Sequence, residues 1–285
     1  MGILLAITAL LSWGLGDFLI QLSVRKLGDW VALFYITSFG SIVLLPFVLK
    51  DLAPAFASHG ILLWLAAIVT LFFALLDFES LRVGKISVIE PIYAFEIPVA
   101  AILAAYFAHE RLSAAQGVLI FCIMVGIFLI STRSFRRLKR IDLEKGVWFA
   151  AFATIGMGTA NFLFGIGSRA AGPLVINWFA DIFLTVVCLG YLLLSGGIKE
   201  VVVDFKKNRR LILMVSFFDN LAWIAFSYAM LFIPIAVATG ISEGYIAFAG
   251  GLGLIFNREK LLKHQWVGFF LAVCAVIALA IVTDK

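Results

Sequence analysis

The chain has 285 residues, of which 64% are hydrophobic and 14% are charged, and its mean hydropathy is +1.11. This composition leaves little chain for a soluble domain and predicts a polytopic membrane protein. The formal net charge is +5, but the excess lies in short loops between apolar runs. Topology and lipid headgroups account for charge in such loops, so it does not indicate a nucleic-acid partner.

Ten apolar runs follow one another along the chain, and each is long enough to span about 30 Å of hydrocarbon as an α-helix. They lie near residues 2–22, 30–49, 60–81, 86–107, 114–132, 146–168, 174–195, 211–232, 235–256 and 265–283. The first run has no basic segment before it and is followed by Arg25 and Lys26, so we expect an anchored span and no removable signal peptide. The runs predict an all-α integral membrane protein with ten transmembrane helices, located in the cell membrane.

Basic residues alternate between the gaps that separate the runs. Of the 22 lysines and arginines, 18 fall in the odd-numbered gaps, and only Lys50, Arg111, Arg169 and Lys285 fall elsewhere. Short loops that are rich in Lys and Arg stay in the cytoplasm. The pattern therefore predicts that the odd loops are cytoplasmic and that both termini face outward.

The basic segment 133–145 leaves five runs on either side. We expect a first five-helix repeat over 1–132, a linker over 133–145 and a second five-helix repeat over 146–285. The basic loops are the first and third of the first half, but the second and fourth of the second half. An odd number of spans in each unit requires this reversal, so the two repeats should lie inverted in the membrane, as in many secondary transporters.

Two short internal matches support the duplication. At an offset of 144, Asp17-Phe18-Leu19, Arg25 and Gly28 match Asn161-Phe162-Leu163, Arg169 and Gly172. At an offset of 149, Glu110, Arg111, Leu112 and Gln116 match Glu259, Lys260, Leu261 and Gln265.

Several of these features resemble the drug/metabolite transporter superfamily, in particular its EamA-type branch. They are the two five-helix halves, Trp13-Gly14 in the first span, and Pro98 followed by Glu110-Arg111-Leu112-Ser113 and Gln116. The second half repeats the glutamate pattern as Glu259-Lys260-Leu261 and Gln265, but has Ala247 where a proline matching Pro98 would lie. The resemblance covers essentially the whole chain and implies a ten-helix transporter. Many family members are described with cytoplasmic termini, whereas the charge pattern here places both termini outside.

Acidic residues lie inside the apolar runs, whereas no Lys or Arg lies near the middle of any run. These acids are Asp17, Asp77, Glu79, Glu90, Glu96, Asp181, Asp219 and Glu243. A carboxylate at that depth costs several kcal/mol unless it is protonated, paired or facing a wet cavity, so such residues mark ion or substrate pathways.

The best candidates are Glu96, Glu243 and Asp219, since each is close to the centre of its run. Pro91 and Pro98 flank Glu96, so we expect a bend with released backbone carbonyls near this glutamate. Glu243 lies between glycines of a Gly-x-x-x-Gly pair, which itself favours close helix packing.

The remaining acids are weaker candidates. Asp181 lies slightly outward of the centre of its run, and Asp17 and Asp77 could face a cytoplasmic vestibule. Glu79 lies three residues before Arg82, which favours a structural ion pair at a helix end. Glu90 is within reach of Lys85, so pairing and a pathway role stay open.

Aromatic residues in the same spans could complete a pocket for an organic cation through cation–π attraction. The candidates are Trp13, Tyr93, Trp178, Trp223, Tyr228 and Tyr245, of which Tyr93, Trp178 and Tyr245 are placed in the predicted site. The alternative is that Trp and Tyr lie at the membrane interfaces.

Motifs for an enzyme are weak. Residues 240–244 fit the G-x-S-x-G pattern of hydrolases, but that elbow needs a strand-to-helix turn and a histidine base, and the three histidines all lie at loops. The glycines of 249–253 follow no strand and do not predict a nucleotide loop. Cys122, Cys188 and Cys274 are far apart in sequence and read as packing residues. We expect no enzymatic activity, no cofactor and no metal site.

The combined features predict a secondary active transporter of small organic metabolites that works by alternating access. An interior with acids alone favours cationic or zwitterionic substrates, such as amino acids, amines or drug-like molecules, and protons as coupling ions. The expected partners are the substrate, protons and the lipid bilayer, with the chain acting in efflux as a monomer or homodimer. The alternative function is a membrane receptor or sensor that binds a small cation without moving it.

Overall fold

The computed structural model describes residues 1–84, 89, 92–131, 145–248 and 262–283. Within these residues, one helix lies in each of the ten predicted runs. They are α1 (Gly2–Leu27), α2 (Asp29–Val48), α3 (Leu52–Val83), α4 (Glu96–Phe107), α5 (Ala114–Ser131), α6 (Lys145–Ala171), α7 (Pro173–Leu194), α8 (Ile198–Ala229), α9 (Ile235–Ser242) and α10 (Lys263–Thr283). The predicted linker is outside this part of the chain apart from Lys145, and so are Lys85, Glu90, Pro91 and 259–261.

The helices have the dimensions of a membrane protein. Seven of those in the described ranges are long and apolar enough to cross a bilayer, and three shorter apolar helices, α4, α5 and α9, complete the set. Large hydrophobic side chains such as Ile61, Leu194 and Ile102 are exposed on the outer surface, where lipid would cover them. The prediction of a ten-helix integral membrane protein is confirmed.

Helix pairing follows the two-repeat pattern. The first helix of each repeat packs against the third helix of the other, so α1 contacts α8 and α6 contacts α3. The second helices, α2 and α7, pack together, and so do the fifth helices, α5 and α10. Each repeat therefore completes its packing against the other one, and the interface between them passes through the centre of the molecule.

Backbone irregularities also recur at equivalent places. α3 has a non-helical residue at His59 (φ −132°, ψ 18°), and α8 has one at Asn208 (φ −119°, ψ 19°). The two positions differ by 149, the offset of the second internal match. The duplication is thus visible in the helix geometry as well as in the residues.

The fourth run of each half contains a break in its helix. Turn residues 94–95 precede α4, which begins at Glu96, and turn residues 243–244 follow α9, before a further helical turn at 245–248. These turns are also related by the offset of 149. The expected bend near Glu96 is present. In the second half, the helix of the ninth run is interrupted at Glu243, although no proline is there.

The loops group at two ends of the bundle, as their parity predicts. At one end, Arg25 Nη2 donates to the carbonyl of Gly84 at 2.9 Å, and Arg82 Nε lies 3.4 Å from Asp29 Oδ2. At the other end, Arg169 contacts loop carbonyls of Met230 and Ile233. The grouping of loops agrees with the charge pattern, while the membrane side that each end faces stays a prediction.

Candidate functional site

A cavity of about 110 Å³ lies between the two repeats at the level of the helix breaks. Its wall comes from α1 to α4 and from α6 to α8, together with residues beside the two breaks. Six of the predicted acids share this cavity: Asp17, Asp77, Glu96, Asp181, Asp219 and Glu243. Among the described residues, the lining includes no Lys, Arg or His. The fold thus gathers acids from six separate helical segments around one space.

Four of the acids interact with a polar side chain that can donate a hydrogen bond. The pairs are Trp13 with Asp219, Tyr93 with Asp77, Tyr245 with Asp17, and Asn161 with Glu96. Asn161 Nδ2 lies 3.1 Å from Glu96 Oε2. Tyr93 also contacts the hydroxyl of Ser80, which fixes the position of its ring. Three of the four donors are aromatic, so the same side chains that position the carboxyl groups present ring surface near them.

Glu243 differs from these four acids. Only 4% of its surface is exposed, and its Oε2 atom is buried without a hydrogen-bond partner among the described residues. The residue lies in the turn after α9, where its amide donates to the carbonyl of Thr239 at 2.9 Å. A buried carboxyl oxygen without a partner is costly in a stable protein, so its presence here is typical of a functional group.

Asp181 lies at a tight crossing of α7 with α2 and α8. A Cβ atom at Gly40 would collide with carboxyl oxygen Oδ2 of Asp181 and with amide oxygen Oδ1 of Asn220. Asn220 donates its Nδ2 to the carbonyls of Ile36 and Ser216, which orients the amide. Gly40 is therefore required for the approach of the three helices at this end of the cavity.

Two predicted aromatic residues of the site, Tyr93 and Tyr245, line the cavity, and so do Trp13 and Trp223. Trp178 does not line it. The indole of Trp178 donates to the carbonyl of Ser41 at 3.0 Å in the contact between α7 and α2. Trp178 therefore lies outside this cavity, because this face of α7 packs against α2.

The structural ion pair expected for Glu79 is present. Arg82 Nε donates to Glu79 Oε2 at 2.7 Å at the end of α3, away from the cavity. Tyr228 is also outside the lining.

Neutral polar residues complete the wall and were not among the predicted site residues. Asn161, Asn177, Thr37 and Thr70 all face the cavity. Asn177 Nδ2 donates to Ser227 Oγ at 2.8 Å and to the carbonyl of Pro173 at 2.7 Å. The internal repeat could have identified Asn161 as a site residue, since it is the counterpart of Asp17 at the offset of 144.

The cavity wall is built from equivalent positions of the two repeats. At the offset of 144 the lining pairs are Trp13 and Met157, Asp17 and Asn161, Ile20 and Phe164, Leu33 and Asn177, Ile36 and Ala180, and Thr37 and Asp181. At the offset of 149 they are Thr70 and Asp219, Ala74 and Trp223, and Glu96 and Tyr245. In each of these pairs, at most one member is acidic. The frame of the cavity is symmetric, but its chemistry is not.

The comparisons with known proteins agree with this architecture. A family model described as "EamA-like transporter family" matches residues 1–132 and 144–281. Among 28 matching chains of solved structures, one described as "Crystal structure of protein" covers 99% of this chain and 97% of its own, with a TM-score of 0.75 and 11% identity. That likeness shows the fold alone. No curated protein matches. Because the family model spans both halves, the chain belongs to the EamA-like transporter family of the drug/metabolite transporter superfamily and is a multi-pass membrane transporter.

Proposed function

We propose that this protein is a secondary active transporter that exports small cationic or zwitterionic organic metabolites in exchange for protons. The observation that carries the proposal is the cavity between the repeats, where six carboxyl groups meet without a basic side chain in the described lining. Such a site favours ligands that bring a positive charge, because cation binding relieves the repulsion between the carboxylates.

Proton exchange follows from the same arrangement. Electrostatic interaction links Glu96 with Glu243, Asp77 and Asp17, and links Asp181 with Asp219. When no cation is bound, burial and mutual repulsion disfavour full ionisation of such a cluster, so protons take the place of the cation. A site that holds either a cation or protons couples the two fluxes when it opens alternately to the two sides.

Ring surface in the cavity supports recognition of an organic cation. Trp13 and Trp223 pack edge to face with centroids 5.3 Å apart, and Phe164 lies 4.6 Å from Trp223. A desolvated cation over such a ring gains about 2 kcal/mol. Phosphorylated sugars and nucleotides fit poorly, since they require Arg or Lys in the site.

The size of the cavity favours a compact substrate. Its volume of about 110 Å³ is below the roughly 300–1,000 Å³ of pockets for drug-sized ligands. An amino acid or a small amine therefore fits the described conformation better than a bulky drug, which would need a more open one.

A ligand screen followed by a flux assay tests the proposal. Purified protein is heated with amino acids, polyamines and quaternary amines, and a ligand that binds the folded state raises the unfolding temperature. Each hit is then measured in proteoliposomes, where counterflow should exceed that of empty vesicles. Cation flux should accelerate when a proton gradient is applied in the direction opposite to the movement of the cation. A ligand that binds tightly but never crosses would instead indicate a sensor.

A further inference from the structure

Two polar contacts across the cavity join the repeats in a crossed arrangement. Tyr245, beside the second helix break, interacts with Asp17 on α1, while Asn161 on α6 donates to Glu96, beside the first break. Asp17 is the counterpart of Asn161, and Glu96 is the counterpart of Tyr245. The two contacts are therefore related by the pseudo-symmetry, with donor and acceptor exchanged. Each one connects the first helix of one repeat to the helix break of the other.

Glu243 stands outside this scheme. Its counterpart in the first repeat is Ala94, which has no polar side chain. Both glutamates are buried, with 7% of Glu96 and 4% of Glu243 exposed. In the part of the chain that the structure describes, Glu96 has a neutral amide donor on its carboxyl group, whereas Glu243 Oε2 has no partner. The two central glutamates repel each other, yet their surroundings are unequal.

Hydrogen-bond donation to a carboxylate stabilises its ionised form, and two interacting carboxyl groups ionise as a coupled pair. We infer that, in the absence of substrate, Glu96 and Glu243 share one proton that resides on Glu243, while Asn161 holds Glu96 ionised as the first contact of the cation. Asn161 is then a positioning residue. This inference rests on the proposed function. It assigns the binding of the proton to Glu243 and the first contact with the cation to Glu96. When the cation binds, the O–H bond of Glu243 breaks and its proton passes to water on the open side.

Other titratable groups also face Glu243. Asp17 on α1, Asp77 on α3 and Glu96 on α4 all interact with it electrostatically. Asp219 on α8 lines the same cavity, and α6 contributes the neutral Asn161. Within the described ranges, α5 and α10 add no residue to the lining. The inequality between the glutamates therefore depends on the single amide donor, since the acids surround both of them.

Infrared spectra of the reconstituted full-length protein test the inference without a known substrate. At neutral pH, the difference between wild type and Glu243→Gln should contain the C=O stretch of a protonated carboxylic acid. The difference between wild type and Glu96→Gln should contain carboxylate stretches. The same comparison is then made in protein that also carries Asn161→Ala. There, the difference spectrum for Glu96→Gln should gain the C=O stretch of a protonated carboxylic acid. Asn177→Ala is the matched control background, because Asn177 is equally buried in the same wall but donates to Ser227 and Pro173.

A protonated band that disappears in Glu96→Gln would overturn the assignment, and so would an Asn161→Ala background that behaves like the Asn177→Ala background. Because these spectra need no substrate, they separate the inference from the proposed function. The expected bands together with an absence of flux for every ligand in the screen would remove the proposed exchange of these cations for protons and leave the proton assignment in place.

Discussion

The two repeats place the same positions around the cavity but supply different side chains there. Where the first repeat has Asp17, the second has Asn161, and where the second has Asp219, the first has Thr70. The backbone shares its features across the repeats, including helix breaks at equivalent turns. The comparison teaches that the position of the cavity follows from the duplicated fold, whereas its charge depends on individual residues within each repeat.

The two ends of the bundle show the same relation. Arg25 and Arg169 are counterparts, and each contacts the loop between the third and fourth helices of a repeat. Arg25 belongs to the repeat whose loop it binds, and so does Arg169. Only Arg169 is also seen to pair with a glutamate, since its Nη1 lies 2.6 Å from Glu110 Oε1. Glu259, the counterpart of Glu110, lies outside the described residues.

The largest expected effect is all or none and concerns which side each end faces. Because 18 of the 22 basic residues fall in the odd loops, we expect both termini outside. A reporter that is active only in the cytoplasm should stay dark when it is fused after Lys285. A cysteine at Ser134 should resist a membrane-impermeant reagent added from outside. A bright reporter together with labelling at Ser134 would reverse the assignment of the two ends.

The next largest effect concerns the central glutamates. Glu96→Gln or Glu243→Gln removes an acid that the counterpart position does not replace, so proton-driven transport of a screened cation should fall at least tenfold. The physical reason is that a charge-assisted contact contributes about 1.5–3 kcal/mol, and about 1.4 kcal/mol is tenfold in affinity. The measurement is initial flux in proteoliposomes at several external pH values. Unchanged pH dependence in the double variant would make these glutamates structural and move attention to Asp17, Asp77 and Asp181.

Much of this arrangement could be predicted from the sequence. The hydrophobic runs located each helix of the described ranges, since backbone groups in a bilayer must be satisfied within a helix. The depth of the acids in their runs identified the six acids of the described cavity lining. The rotation of a helix about its axis was harder, because a helix that is apolar all round has no polar face to orient it. Trp178 lies outside the cavity for that reason, whereas Asp181 on the same helix lines it.

The helix breaks show the same limit. Proline predicts the break near Glu96, because it removes a backbone donor and clashes with the preceding turn. The break at Glu243 has no proline, and the glycines around it, Gly240 and Gly244, were interpreted as a helix-packing pair. The sequence predicts this break only through the repeat. It lies 149 residues after the first break, and the offset of 149 rests on short internal matches.

The asymmetry between the two ends leads to the third prediction. Counting contacts with described residues alone, Arg169→Ala removes the ion pair with Glu110 and two contacts to loop carbonyls, whereas Arg25→Ala removes one carbonyl contact. The Arg169 side chain is 35% exposed, so we expect a loss of about 1 kcal/mol, at the low end for such contacts. A cysteine at Ala180 in the cavity wall, with the native cysteines replaced, should then react faster from the Arg169 end. Equal labelling in Arg169→Ala and Arg25→Ala would show that the extra contacts do not keep that end closed.

A smaller effect is expected from the crossed pair of Asp17 and Tyr245. Tyr245→Phe keeps the ring and removes the hydroxyl donor, and a neutral hydrogen bond contributes about 0.5–1.5 kcal/mol. Substrate affinity should therefore weaken by a few-fold, measured as the half-saturating concentration for counterflow. Tyr228→Phe is the control, because Tyr228 lies on α8 outside the cavity lining. Identical behaviour of the two variants would remove Tyr245 from the site.

The smallest effect is expected at Glu79, which lies within an apolar run but outside the cavity. Its ion pair with Arg82 is at a helix end, where the two side chains are 23% and 45% exposed. Exposed pairs of this kind contribute about 0–1 kcal/mol, since solvent and salt screen the charges. Glu79→Gln should lower thermal stability only slightly and leave the pH dependence of transport unchanged, in contrast to Glu96→Gln. If Glu79→Gln abolished proton-driven transport with the fold intact, the distinction between acids that line the cavity and acids that stabilise helix ends would fail.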